Sequence, residues 1–125
     1  MSANTCEAVV VHCYDFRLQQ FLNDWLTRRL GIKNYDRISL PGGVREFAYV
    51  QSQIQMSYKL HNVKKVILIN HEDCGAYGPT GTKERHMSDL AYAEHAIQSS
   101  LYLDVEKYYL HLNGKFEQIA KGIAY

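Results

Sequence analysis

The sequence predicts an α/β domain with a mainly parallel sheet flanked by helices and an edge strand or hairpin at the C-terminus. Three observations carry this. Two continuous apolar runs, Ala8-Val9-Val10-Val11-His12 and Val66-Ile67-Leu68-Ile69 within 65–70, have the pattern of strands covered on both faces. Between them, apolar residues recur at spacings of three and four, the period of an amphipathic helix. Near the end, Tyr108, Leu110 and Leu112 alternate with Tyr109 and His111 ahead of Asn113-Gly114, a strand and turn signal.

Taken in order, 8–12 is the first strand. Leu18, Phe21, Leu22, Trp25, Leu26 and Leu30 then line one side of a helix that stops at Gly31, a favourable residue for a left-handed cap. A short second strand over 36–40 ends at Pro41-Gly42-Gly43, and a second helix runs from about Val44 to about Leu60 through Phe47 and Ile54. The strand at 65–70 leads into a turn, His71 to Cys74, followed by a glycine-rich loop from Gly75 to Gly81. Ser88 or Asp89 is the expected cap of a third helix carrying Leu90, Ile97 and Leu101. Asn113-Gly114 is expected to form a type I′ turn into 115–119. No internal repeat, low-complexity tract or linker divides the chain.

The 125 residues fit one domain, 1–125. Apolar residues make up 46%, and 14 Lys and Arg stand against 13 Asp and Glu, a net charge of +1, which excludes an intrinsically disordered chain. The basic residues are scattered, so nucleic acid is not an expected partner. The run from Ala8 to Val11 is too short for a membrane span or secretory core, and acidic Glu7 precedes it. No membrane association or export is expected. Three cysteines, an odd count, suit a reducing compartment and metal or thiol chemistry, so the expected location is cytoplasmic.

Two motifs carry chemistry, Cys13-Tyr14-Asp15-Phe16-Arg17 after the first strand and His71-Glu72-Asp73-Cys74-Gly75 after the third. If the first segment is extended, Cys13, Asp15 and Arg17 face one way and Tyr14 and Phe16 the other. His71 and Cys74, three apart, suit two ligands of one ion. Both motifs follow the carboxyl ends of strands, where sites form in open α/β sheets. Cys13, His71 and Cys74 make a nitrogen and sulfur donor set for which zinc is the favoured ion. Three protein ligands leave a fourth position. If Asp15 takes it the site is closed; if Arg17 holds Asp15 away, water can bind and donate a hydrogen bond to that carboxylate. Two thiolates neutralise the dication, so activity is expected to favour alkaline pH.

Cys6 and His12 are expected to be structural, and His61, His86, His95 and His111 to be surface groups, with His86 the one most open to a proton-carrying role. A phosphatase loop fails because Gln19 stands where its arginine would be. A C-x-x-C redox site fails because His71 replaces the first cysteine, and no phosphate-binding glycine motif occurs.

These motifs resemble those of the β-class carbonic anhydrases: Cys13 to Arg17 is similar to their C-x-D-x-R, His71 to Gly75 to their H-x-x-C-G, and Pro41-Gly42-Gly43 to their turn after the second strand. The resemblance covers most of the chain. It implies zinc on Cys13, His71 and Cys74, an Asp15–Arg17 dyad, reversible hydration of carbon dioxide to bicarbonate, and a homodimer or higher homo-oligomer. On that reading a zinc-bound hydroxide attacks carbon dioxide, oriented by Asp15, with His86, Tyr77 or Glu46 as candidate proton acceptors. The sequence departs at Phe16, where the family carries a small residue, and at Ser39 and Leu40, where it commonly carries arginine and asparagine. It also lacks a helical arm ahead of the first strand, so the dimer is expected to differ. The alternatives are a zinc hydrolase of another small linear electrophile such as carbon disulfide, and a non-catalytic zinc-binding assembly domain closed by Asp15, with ten tyrosines as its contact surface.

Overall fold

The computed structural model describes residues 4–121. The elements in chain order are β1 (Ala8–Cys13), α1 (Gln19–Leu30), β2 (Tyr35–Leu40), α2 (Phe47–His61), β3 (Lys65–His71), a short 3-10 turn (Gly78–Thr80), α3 (Lys83–Leu101), β4 (Asp104–Leu110) and β5 (Phe116–Ile119). The sheet order is β2-β1-β3-β4-β5. β2, β1, β3 and β4 are parallel, and β5 joins antiparallel at the edge. This is the expected mainly parallel sheet with a C-terminal hairpin.

The pleat explains why the apolar runs are continuous. Val9, Val11, Val66 and Leu68 face one side, where Val50 and Ile54 of α2 and Leu90, Ala93 and Ile97 of α3 pack on them. Ala8, Val10, Ile67 and Ile69 face the other, covered by Leu18 and by Leu22 and Leu26 of α1. Every residue of β1 is buried, so neither face tolerates alternation with polar residues. Among the described residues no helix is long and apolar enough to cross a membrane.

Three local expectations need correction. α3 begins at Lys83, capped by Thr82, whose Oγ1 accepts from the Arg85 N–H at 3.1 Å. Ser88 and Asp89 lie inside the helix, and Asp89 instead bonds Arg85 and Tyr77. The β4–β5 connection is not a type I′ turn. That turn needs positive φ at both central residues, whereas of Asn113 and Gly114 only Gly114 has it, at +92°. Asn113 accepts the Lys115 N–H on its own side chain at 3.0 Å, which fixes a longer loop. Gly31 ends α1 as expected, but at φ 80°, ψ 176°, a glycine region distinct from the left-handed cap.

The sheet order places the functional end. From β1 the chain moves to β2 on one side and then to β3 on the other, so the crevice lies beyond the carboxyl ends of β1 and β3. Beside it, Gly43 sits at φ +60°, and an added Cβ would collide with the Asn70 Oδ1 and press on the Ile69 carbonyl. Gly43→Ala is therefore expected to cost about 2–3 kcal/mol. A lower urea midpoint at unchanged slope checks it, and an unchanged midpoint would show that the turn relaxes.

Candidate metal centre

Cys13 ends β1, His71 ends β3, and Cys74 follows on the turn after β3. All three are buried, and their donor atoms lie within 4.8 Å of one another. The turn that returns Cys74 to His71 is made by Asp73 at φ +56°, a tight reversal. The Cys13 and Cys74 sulfurs are 4.0 Å apart. Two thiolates about 2.3 Å from one tetrahedral zinc stand roughly 3.8 Å apart, so little movement is needed to share an ion.

His71 gives the clearest test of fit. Its Nδ1 donates to the Glu72 carbonyl at 2.7 Å, which fixes the tautomer, and Nε2 is left buried without a hydrogen-bond partner among the described residues. A buried imidazole nitrogen with no partner costs free energy unless something binds it. A backbone carbonyl on the other ring nitrogen is the usual arrangement of a metal-ligating histidine. The sulfurs agree. The hydrogen bond from Cys74 pushes Cys13 down and Cys74 up, so the metal-free pair shares one proton that an ion would displace. The Gly42 N–H also reaches the Cys13 sulfur at 3.5 Å. Burial disfavours the His71 imidazolium, but the nearby Cys13 sulfur and the Glu72 carbonyl outweigh this and raise its pKa.

Asp15 is pinned. Arg17 donates from Nε to Oδ1 at 3.1 Å and from Nη2 to Oδ2 at 2.7 Å, and its backbone N–H reaches Oδ1 at 2.9 Å. Arg17 holds the Asp15 carboxyl down to about 2. The Asp15 Oδ2 stands 3.9 Å from the free His71 Nε2, beside the donors and outside their group. Arg17 also donates to the Asp73 carboxylate at 3.1 Å and carbonyl at 3.0 Å, tying the two motif turns together.

The expected alternation along 13–17 does not occur. The strand ends at Cys13 and the chain turns, with the Leu18 N–H bonded to the Asp15 carbonyl at 3.2 Å. Tyr14 and Phe16 therefore line the same cleft of about 940 Å³ as Cys13, Asp15 and Arg17. Phe16 is 87% exposed at its rim.

The proton-acceptor candidates fare differently. Glu46 is exposed and paired with Arg45 at 2.7 Å. His86 is fully buried, contrary to the surface expectation, and Tyr77 is buried with its hydroxyl donating to Asp89 at 2.7 Å. Asn70 joins them. It donates to the Tyr77 hydroxyl at 3.1 Å and the His86 Nδ1 at 2.9 Å, and accepts the Val44 N–H at 3.2 Å. This network braces the Gly42–Gly43 turn against β3. Of the other histidines, His12 is buried as expected and His95 exposed, while His61 and His111 are half-buried and hydrogen-bonded to Asp36 and Glu117.

A family model described as "Putative carbonic anhydrase" matches residues 3–120. The chain belongs to that family. A carbonic anhydrase from Glaciozyma antarctica superposes with a TM-score of 0.66 at 18% identity, over 95% of this chain and 85% of that one. A tetrameric β-carbonic anhydrase of Sordaria macrospora gives a TM-score of 0.57 at 12% identity, over 98% and 84%. These likenesses establish the carbonic anhydrase fold. An uncharacterized protein of Rickettsia conorii is 30% identical, with 93% of this chain and 73% of that protein aligned. One of Rickettsia bellii is 28% identical over 93% and 83%.

Proposed function

We propose that this carbonic anhydrase family member binds zinc through Cys13, His71 and Cys74 and catalyses the reversible hydration of carbon dioxide to bicarbonate. The observation that carries the proposal is the partnerless His71 Nε2 facing two cysteine sulfurs beside an Arg17-bound Asp15. Zinc supplies Lewis acidity, acidifying water and favouring negative charge on a substrate oxygen. Asp15, ionised and oriented by three N–H donors, accepts a hydrogen bond from water in the cleft and aligns it for attack on carbon dioxide. With a pKa near 2 it cannot keep a proton, so the proton passes to solvent or buffer through the open cleft. Tyr77 stays protonated, because burial and Asp89 push its pKa well above the ordinary range.

Free thiols at all three cysteines suit a reducing, cytoplasmic setting. A homodimer or higher homo-oligomer is part of the proposal, supported by the apolar Tyr14 and Phe16 exposed at the cleft rim.

The test is carbon dioxide hydration by zinc-loaded protein across pH. The thiolates of Cys13 and Cys74 cancel the dication's charge, so the rate is expected to rise toward alkaline pH. Arg17→Ala is expected to lower kcat/KM about 10–100-fold while zinc content stays unchanged. A fully zinc-loaded protein without hydration activity at any pH overturns the substrate. Turnover of carbon disulfide by that protein would then favour the hydrolase reading, for which the cleft leaves room.

A further inference from the structure

The other end of the sheet carries a second cluster of metal-binding side chains. Cys6 leads into β1, Asp36 is the second residue of β2, and His61 is the last residue of α2. Their donor atoms also lie within 4.8 Å of one another. β1 separates this cluster from the first by its six residues, roughly 20 Å at about 3.3 Å per residue. The cluster opens into its own cavity of about 240 Å³, lined also by Lys33 and Tyr35.

We infer that Cys6, Asp36 and His61 form a second site for a zinc-type dication, with the cavity supplying room for a water as fourth ligand. The donor set fits such an ion on three counts. A thiolate and a carboxylate cancel a dication's charge, and neutral imidazole completes three protein ligands. Sulfur and nitrogen donors select zinc over magnesium or calcium. The positions are held by bonds other than those of the donor set: Ser57 Oγ donates to Asp36 Oδ2 at 2.7 Å, and the backbones of Cys6 and His61 are joined, the Cys6 N–H donating to the His61 carbonyl at 3.2 Å. His61 Nδ1 and Asp36 Oδ2 share a hydrogen bond of 2.6 Å, and the Cys6 sulfur contacts the Ala8 carbonyl at 3.7 Å and the Asp36 backbone. An ion bound through the thiolate and Nδ1 displaces the thiol proton to solvent and leaves the imidazole proton on Nε2. Hydrogen bonding of Asp36 with His61 and Ser57 accounts for those three residues as a structural network. The Cys6 sulfur, packed at the edge of the core, adds a third donor beside them at the mouth of the cavity. An occupied site would tie the lead-in to β1, the start of β2 and the end of α2 together, stabilising the fold by mass action.

The test is zinc content after equilibrium dialysis, read by elemental analysis. Wild-type protein is expected to hold one equivalent more than Cys6→Ser and one more than His61→Ala. Ser57→Ala, which removes only a brace, retains it. Because the readout is a difference, it stands whether or not the Cys13 site is filled. A second measurement needs no variant: excess zinc is expected to slow alkylation of Cys6 in the wild-type chain at least about tenfold, followed by mass spectrometry of the Cys6 peptide. Equal zinc content in wild type and Cys6→Ser, or Cys6 alkylated at the same rate with and without zinc, overturns the site.

Discussion

His71→Ala is expected to abolish stoichiometric zinc binding at the Cys13 site and to lower carbon dioxide hydration by about a thousandfold or more. The magnitude follows from the chemistry the ion supplies, several kcal/mol of charge stabilisation together with an acidified water, at 1.36 kcal/mol for each factor of ten. His71 is suited to this experiment because its two nitrogens have separate duties. Nδ1 serves the fold through the Glu72 carbonyl, and Nε2 serves nothing within the described chain. The variant therefore loses one short-range hydrogen bond and keeps the β3 ladder, in which His71 pairs through its backbone with Leu110. Circular dichroism unchanged from wild type, with zinc and activity lost together, is the expected result. Retention of zinc in this variant would remove His71 from the ligand set. The contrast with Arg17→Ala is the informative one, since that change removes the groups fixing Asp15 and leaves all three donors in place.

How much of this was legible from the sequence depends on the range over which each residue acts. The parallel strands were readable because burial on both faces leaves an unbroken apolar run, as at Val9-Val10-Val11 and Ile67-Leu68-Ile69. The three donors were readable because each stands next to a strand end, and the strand order then brings those ends together. The start of α3 was not. Its first turn, Lys83-Glu84-Arg85, carries no apolar residue, so the hydrophobic period is silent until the helix is already under way. Once Thr82 is known to cap it, His86, Leu90, Ala93, Glu94 and Ile97 fall on one helical stripe, and His86 is simply its first buried position. Glu94 could not be expected there either, because its partner Lys107, at 3.0 Å, lies on β4. Asp73 and Asn70 act across the crevice on Arg17 and Val44, at sequence separations no local pattern records.

The correction at His86 leads to the second large effect, loss of stability in mild acid. His86 and His12 are both neutral in the fold. His86 Nδ1 accepts from Asn70 at 2.9 Å, and His12 Nε2 accepts from Arg37 at 3.0 Å, so a proton at either nitrogen removes a hydrogen bond. Burial is the main cause that lowers each to about 4, from an unfolded value near 6.5. A histidine with a depressed folded pKa contributes its full stability above 6.5. Below that the unfolded chain binds protons that the native chain refuses, and the contribution is lost as pH falls toward 4. At 1.36 kcal/mol per unit the loss reaches about 3 kcal/mol for each histidine, and the two together approach a large part of a typical domain's stability. In metal-free protein His71 acts with the opposite sign, because its folded pKa is raised and protonation favours the native state. Urea unfolding in chelator should nevertheless weaken steadily from pH 7 to about pH 4.5. NMR should find the His86 ring still neutral at pH 5, where an ordinary histidine is charged. A ring that titrates near 6.5 in the folded state would mean that the Asn70, Tyr77 and His86 network opens to solvent, and the acid loss would then shrink to the part carried by His12.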